Sequence, residues 1–298
     1  MSEAGLVLVL IASVAAIVNG ALGHGFSSIT VPVALLFSTN RILNPALVLV
    51  EVGINTYVLL RSRSSLGAVC KRLVPIVLGL IPGIVLGSLL LSTVNPEWLK
   101  LLVYASLLPL ILLQAAGVRR PVRLTAAVGA PFGTGLGILY SLTTISGPPL
   151  ALLFNNQGLV KQEFRAALGM IRVAESTLTA LAYYHLGLFT APSLRLLPWI
   201  VPAVAVGVPL GAVLIRRLDA EVFRRICMSF DAWIVGFGLS KVLVDLGLAV
   251  SPWGYLVLAT VVMIDMALLT AFFNGRRPGR VLAAVGASVR GPAGEPSR

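Results

Sequence analysis

Glu51, Arg172, Glu175, Asp231 and Asp265 are charged residues set well inside long apolar stretches of this sequence. An ionised group in mid-membrane costs about 2.5–3.5 kcal/mol on insertion scales, so such groups are functional candidates first. Arg172 and Glu175 are three residues apart and share one helix face, which Arg165 and Thr179 extend. Two chemistries fit that spacing. The pair neutralises itself for insertion, or Arg172 presents its planar fork of donors to an oxyanion while Glu175 orients it. Glu51 is a candidate proton carrier. His24 is either a satisfied imidazole at a helix end or a titrating group that binds a ligand or moves a proton. Asp231 and Asp265 read as packing counter-ions. Two histidines, 24 and 185, and two isolated cysteines, Cys70 and Cys227, give no ligand set, so neither a metal nor a cofactor is expected.

Two further stretches mix small and polar residues into apolar sequence. "GALGHGFSSITVP" (20–32) offers Gly23, His24, Gly25, Ser27, Ser28 and Thr30, and "GILYSLTTISGPP" (137–149) offers Thr143, Thr144, Ser146 and Gly147. Glycines let a chain turn and let backbones approach, and a broken helix frees N–H groups for an anion. Hydroxyls add donors. The competing reading is a kinked, small-residue packing interface.

The elements that carry these residues follow from composition. The 298 residues are 57% hydrophobic and 11% charged, with mean hydropathy +0.96. Soluble domains carry about 25% charged residues, so the chain is an all-α polytopic membrane protein. The net charge of +12 does not indicate nucleic-acid binding. Its basic residues lie between apolar runs and in the tail, where membrane topology places them. No removable signal peptide is expected, since Glu3 stands where a basic leader region would begin.

Apolar segments run at 5–38, 44–60, 73–92, 97–116, 123–156, 162–185, 195–215, 225–247 and 252–274. Segments 5–38 and 123–156 hold 34 residues each, too many for one span. Halved, each arm would have roughly 17 residues and a length of about 25 Å, short for a hydrocarbon core about 30 Å thick. Arginine and lysine fill loops 61–72, 117–123, 216–225 and the tail, and are missing from loops 93–96, 186–194 and 248–251. That alternation places the N-terminus outside and the C-terminus in the cytoplasm, with 5–38 and 123–156 as hairpins that return to their own side.

The chain also repeats itself. "PVALLFSTN" (32–40) matches "PLALLFNNQ" (149–157) at an offset of 117, and "GIVLGSLLLSTVNPEWLKLL" (83–102) matches "GVPLGAVLIRRLDAEVFRRI" (207–226) at 124. Gly83 thereby pairs with Gly207, Gly87 with Gly211, and Arg172 corresponds to Asn55. Uncharged loop 93–96 falls opposite basic loop 216–225, so the halves are expected to be inverted. The resulting organisation is a first repeat at 1–116, a second at 117–247, an additional helix at 248–274, and a basic tail at 275–298 expected to be disordered and cytoplasmic. Inverted halves with interrupted helices at matching positions are the usual plan of secondary transporters.

With these motifs the sequence resembles the sulfite exporter TauE/SafE family, also called the toluenesulfonate uptake permease family. The glycine-rich hairpin ending in proline at the start of each half carries the likeness. So do "TYVLLRSR" (56–63), "YYHLGLF" (183–189) and the paired Gly-x3-Gly segments, over residues 5–247. Where members often have three glycines in a row, this chain has Gly23-His24-Gly25-Phe26-Ser27, and Ser141 and Thr144 stand where family glycines commonly do. The resemblance implies a multi-pass plasma-membrane permease for a small anion: sulfite, an organosulfonate or a related organic acid. The expected substrate site is Gly23, His24, Gly25, Ser27, Ser28, Thr30, Asn55, Thr143, Thr144, Ser146, Gly147 and Arg172, with Glu51 and Glu175 coupling or orienting. The expected partners are the anion, the bilayer and a coupling proton or sodium ion; a homodimer is left open. An enzyme is not expected, because neither a His-Glu-x-x-His motif nor a matched aspartate pair is present, and no G-x4-G-K-[S/T] loop for ATP appears. The alternatives are a non-transporting scaffold or assembly factor, or an anion channel of the same fold.

Overall fold

The computed structural model describes residues 3–23, 25–61, 66–116, 125–154, 161–215, 217 and 219–289. His24 lies outside them. Among the described residues the chain is all helix: α1 (Glu3–Leu22), α2 (Phe26–Ala34), α3 (Asn40–Arg61), α4 (Leu66–Thr93), α5 (Pro96–Ala115), α6 (Ala126–Thr143), α7 (Gly147–Phe154), α8 (Lys161–His185), α9 (Ala191–Leu194), α10 (Leu197–Leu214), α11 (Ala220–Asp245) and, after a 3-10 turn at Trp253–Tyr255, α12 (Leu256–Val289). Seven of these helices are long and apolar enough to cross a membrane. There is no strand among the described residues, and the spans are helices, the form in which a bilayer-crossing segment can meet most of its backbone hydrogen bonds within itself.

The two 34-residue segments break unequally rather than in half. The first gives 20 residues in α1 and 9 in α2; the second gives 18 in α6 and 8 in α7. At 1.5 Å per residue a short arm is about 12–14 Å long, under half the hydrocarbon thickness. The breaks have local causes. Gly23 (φ 80°) and Gly25 (φ 109°) are both left-handed, which lets the chain turn sharply between α1 and α2. In the second segment a β-branched residue does the same work, for Thr144 closes α6 at φ 56° with its N–H bonded to Tyr140 O.

Breaking α6 exposes its last carbonyls, and side chains from other helices take them up. Asn40 and Asn44 of α3 both donate to Leu142 O, at 3.1 and 2.6 Å. Tyr183 of α8 donates to Ser141 O. Tyr104 of α5 donates to Pro32 O in α2 at 2.8 Å. Arg41, at the start of α3, closes the end of α4 by donating to Leu91 O and Val94 O, both at 2.8 Å.

Helix pairing depends on the Gly-x3-Gly seams. α4 packs on α6 and α10 packs on α1. A Cβ added at Gly79 or Gly83 would strike the backbone of Ala130 or Thr134, and one at Gly133 would strike Ile76. In the other pair, Gly20 meets Val208 and Gly211 meets Ile17 in the same way. Without a hydrophobic drive between helices in lipid, such backbone-to-backbone approach is what supplies contact. Outward faces carry bare Leu, Val, Trp and Phe, including Leu10, Leu78, Val206 and Met263, the surface that lipid covers.

Candidate functional site

α2 and α3 meet α6 and α8 at a polar cluster sealed from solvent. Glu51, from mid-α3, is completely buried. Ser27 Oγ, in the first turn of α2, donates to Glu51 Oε1 at 2.6 Å. Tyr140 OH, in the last turn of α6, donates to Oε2 at 2.7 Å. Arg172, from mid-α8 and 5% exposed, places Nη2 3.5 Å from Oε1. Its Nη1 donates to Gly23 O, at the end of α1, at 3.2 Å. Asn55, one turn beyond Glu51 on α3, donates to Arg172 O at 3.3 Å. One guanidinium therefore ties the first helix break to α3, from residues more than a hundred positions apart.

The spacing of Arg172 and Glu175 had pointed to a local pair. That pair is not made: among the described residues Arg172 is bridged to Glu51 instead. An i, i+3 pair on a helix is worth a few tenths of a kcal/mol. Here Ser27 and Tyr140 fix a buried carboxylate, and its position wins the cation. Glu175 is fully buried and neither of its oxygens has a hydrogen-bond partner. The Ser146 hydroxyl, between α6 and α7, lies within electrostatic reach of it, but no regular hydrogen bond joins them. Arg172 Nε is likewise buried and unpartnered. The Arg172–Glu51 separation exceeds the 2.7–2.9 Å usual for a charge-assisted bond, so the fork is only loosely occupied.

The other expected residues distribute unevenly. Ser28 turns away from Ser27's side and lines a separate cavity of about 30 Å³, together with Gly25, Gln114, Pro148 and Asp231. Thr30 Oγ1 is buried without a partner. Thr143 and Thr144 spend their hydroxyls on nearby backbone: Thr143 Oγ1 bonds Leu139 O and accepts from Ile145 N, and Thr144 Oγ1 donates to Thr143 O. Gly147 begins α7, but Pro148 and Pro149 follow it, so that helix start lacks two of its N–H groups. The second break therefore offers fewer backbone N–H donors than the first. At α2 the N-cap is Gly25, which has no side chain to cap the first turn.

Asp265 is a counter-ion, as expected. It accepts from Arg225 at 2.8 Å and from Trp233 at 3.0 Å, joining α11 to α12. Asp231 is not one: it makes no ion pair among the described residues, and its Oδ1 has no partner. Sequence reasoning overlooked Tyr140. The signal was available, since Tyr140 stands opposite Gly23 at the 117-residue offset.

A multi-pass helical membrane protein with a buried guanidinium and two carboxyl groups beside a broken helix has the build of a membrane transporter of small anions. The family model described as sulfite exporter TauE/SafE matches residues 8–237, and the chain belongs to that family. Membership implies a membrane transporter of sulfite or related anions. No curated protein matches the chain, and no solved structure matches it.

Proposed function

We propose that the protein is a secondary transporter whose substrate, sulfite or a small organosulfonate, binds at Arg172 between the two helix breaks. The observation that carries this reading is a nearly buried guanidinium with an unpartnered Nε and a loose ion pair. Its fork matches two oxygens of a sulfite or sulfonate head group. The first turn of α2, with Gly25 at its N-cap, presents N–H groups and the positive end of a helix dipole beside Ser27. Ser146 and Thr30 hold hydroxyls without partners, ready to bond a third oxygen or to serve an altered packing of the breaks.

We further propose that the halves 1–116 and 117–247 are inverted repeats that rock about this site, with the N-terminus outside and the C-terminus cytoplasmic. Under the repeat, α1 corresponds to α6 and α4 to α10. The α4–α6 and α10–α1 seams are then one interface seen twice, which supports a pseudo-two-fold relation.

The test is saturable uptake of sulfite, methanesulfonate and acetate in proteoliposomes under imposed pH and voltage gradients. Arg172→Lys keeps the charge but loses the fork and should raise the half-saturating concentration. Arg172→Ala should abolish saturable flux while remaining monodisperse in detergent. Flux of wild-type apparent affinity in Arg172→Ala would remove Arg172 from the site.

A further inference from the structure

The position beside Arg172 is taken by a carboxylate from the chain itself. Glu51 Oε1 faces Arg172 Nη2 at 3.5 Å while Ser27 holds the same oxygen at 2.6 Å. Tyr140 holds the other at 2.7 Å. We propose that Glu51 is a built-in stand-in for the transported anion, and that a monoanion displaces it from Arg172 only together with one proton, which Glu51 takes up. This rests on the reading of Arg172 as the anion site.

The argument is one of charge in a dry place. Among the described residues a single cation, Arg172, faces two buried carboxyl groups, Glu51 and Glu175. A bound anion adds a further negative charge and takes over the guanidinium. Glu51 would then be an ionised group in mid-membrane without its counter-ion, at a cost of several kcal/mol. Adding one proton to Glu51 removes that cost and leaves the charge of the site unchanged. The proton comes from water, bonds to Oε1, and the Arg172–Glu51 ion pair breaks.

The surroundings suit both forms of Glu51. A serine hydroxyl both donates and accepts. Ser27, now the donor to carboxylate Oε1, turns to accept from the Oε1 hydroxyl, while Tyr140 goes on donating to Oε2. Among the described residues, the groups that face Glu51 are Ser27 from α2, Tyr140 from α6, and Arg172 and Glu175 from α8. Of the other helices against α3, α9 and α10 carry no ionisable side chain, and no hydrogen bond or ion pair links Glu51 to α4 or α5 among the described residues.

The experiment uses the full chain in lipid nanodiscs with methanesulfonate, a monoanion at every pH of interest, binding being measured by calorimetry and proton uptake by a pH dye in weak buffer. Sulfite is run alongside, with its own protonation subtracted from a protein-free titration. Wild type should take up one proton per anion bound. Because one proton is bound with each anion, its Kd should rise about tenfold for each pH unit over which that uptake is seen. Glu51→Gln should bind more tightly than wild type, take up no proton, and show a flat pH profile. That gain of affinity cannot come from misfolding. If wild type binds without proton uptake, or uptake persists in Glu51→Gln, the coupling is overturned while the anion site stands. If neither anion binds wild type, or Arg172→Ala binds with wild-type affinity, the anion site falls and the coupling falls with it.

Discussion

Thr144 stores strain at the second helix break. A β-branched residue at φ 56° costs on the order of 1–2 kcal/mol relative to the right-handed region. Among the described residues its hydroxyl bonds only the carbonyl of Thr143, so the substitution Thr144→Gly gives up little. It should stabilise the protein by about 1 kcal/mol, read as a raised thermal midpoint in detergent. The Arg225–Asp265 pair behaves in the opposite way. Both groups are buried, and Trp233 adds a second donor to Asp265. Asp265→Ala strands Arg225 and should cost about 3–5 kcal/mol, whereas Arg225→Met with Asp265→Leu should return most of that. Unfolding midpoints of the single and double variants test this, and equal losses in the two would refute it.

At the scale of elements, the glycine seams make opposite predictions for glycines on one face and another. Gly83 of α4 and Gly211 of α10 have no room for a Cβ, which would meet the Thr134 and Ile17 carbonyls. Alanine at either position should lower stability by about 1–3 kcal/mol through forced separation of the helices. Gly135, on α6, has nothing within 4 Å of an added Cβ. Gly135→Ala should be neutral or gain up to about 1 kcal/mol from helix propensity. A larger loss in Gly135→Ala than in Gly83→Ala would mean that the seams are not what holds these helices together.

For the whole molecule, the basic loops and the paired seams make a topological prediction. Cysteines introduced at Asn95 and Thr190 should react with a membrane-impermeant reagent from outside the cell, and one at Arg217 only after permeabilisation. Labelling of 95 and 217 from the same side would defeat the inverted arrangement, because these loops are counterparts under the repeat.

The sequence by itself determined the membrane class and the places where helices must break. It also marked Arg172, Glu51 and Glu175 as the costly charges, because composition, periodicity and glycine placement are local and one-dimensional. It did not determine how unequal the arms would be, since α6 stops where Tyr183, Asn40 and Asn44 from distant helices take up its last carbonyls, and Tyr104 meets Pro32 O near the end of α2. Nor could it choose Arg172's partner. Glu175 is nearer in sequence, but Ser27 and Tyr140 fix Glu51 in space. A buried charge pairs with whichever carboxylate is held still beside it, and only tertiary packing decides which one that is.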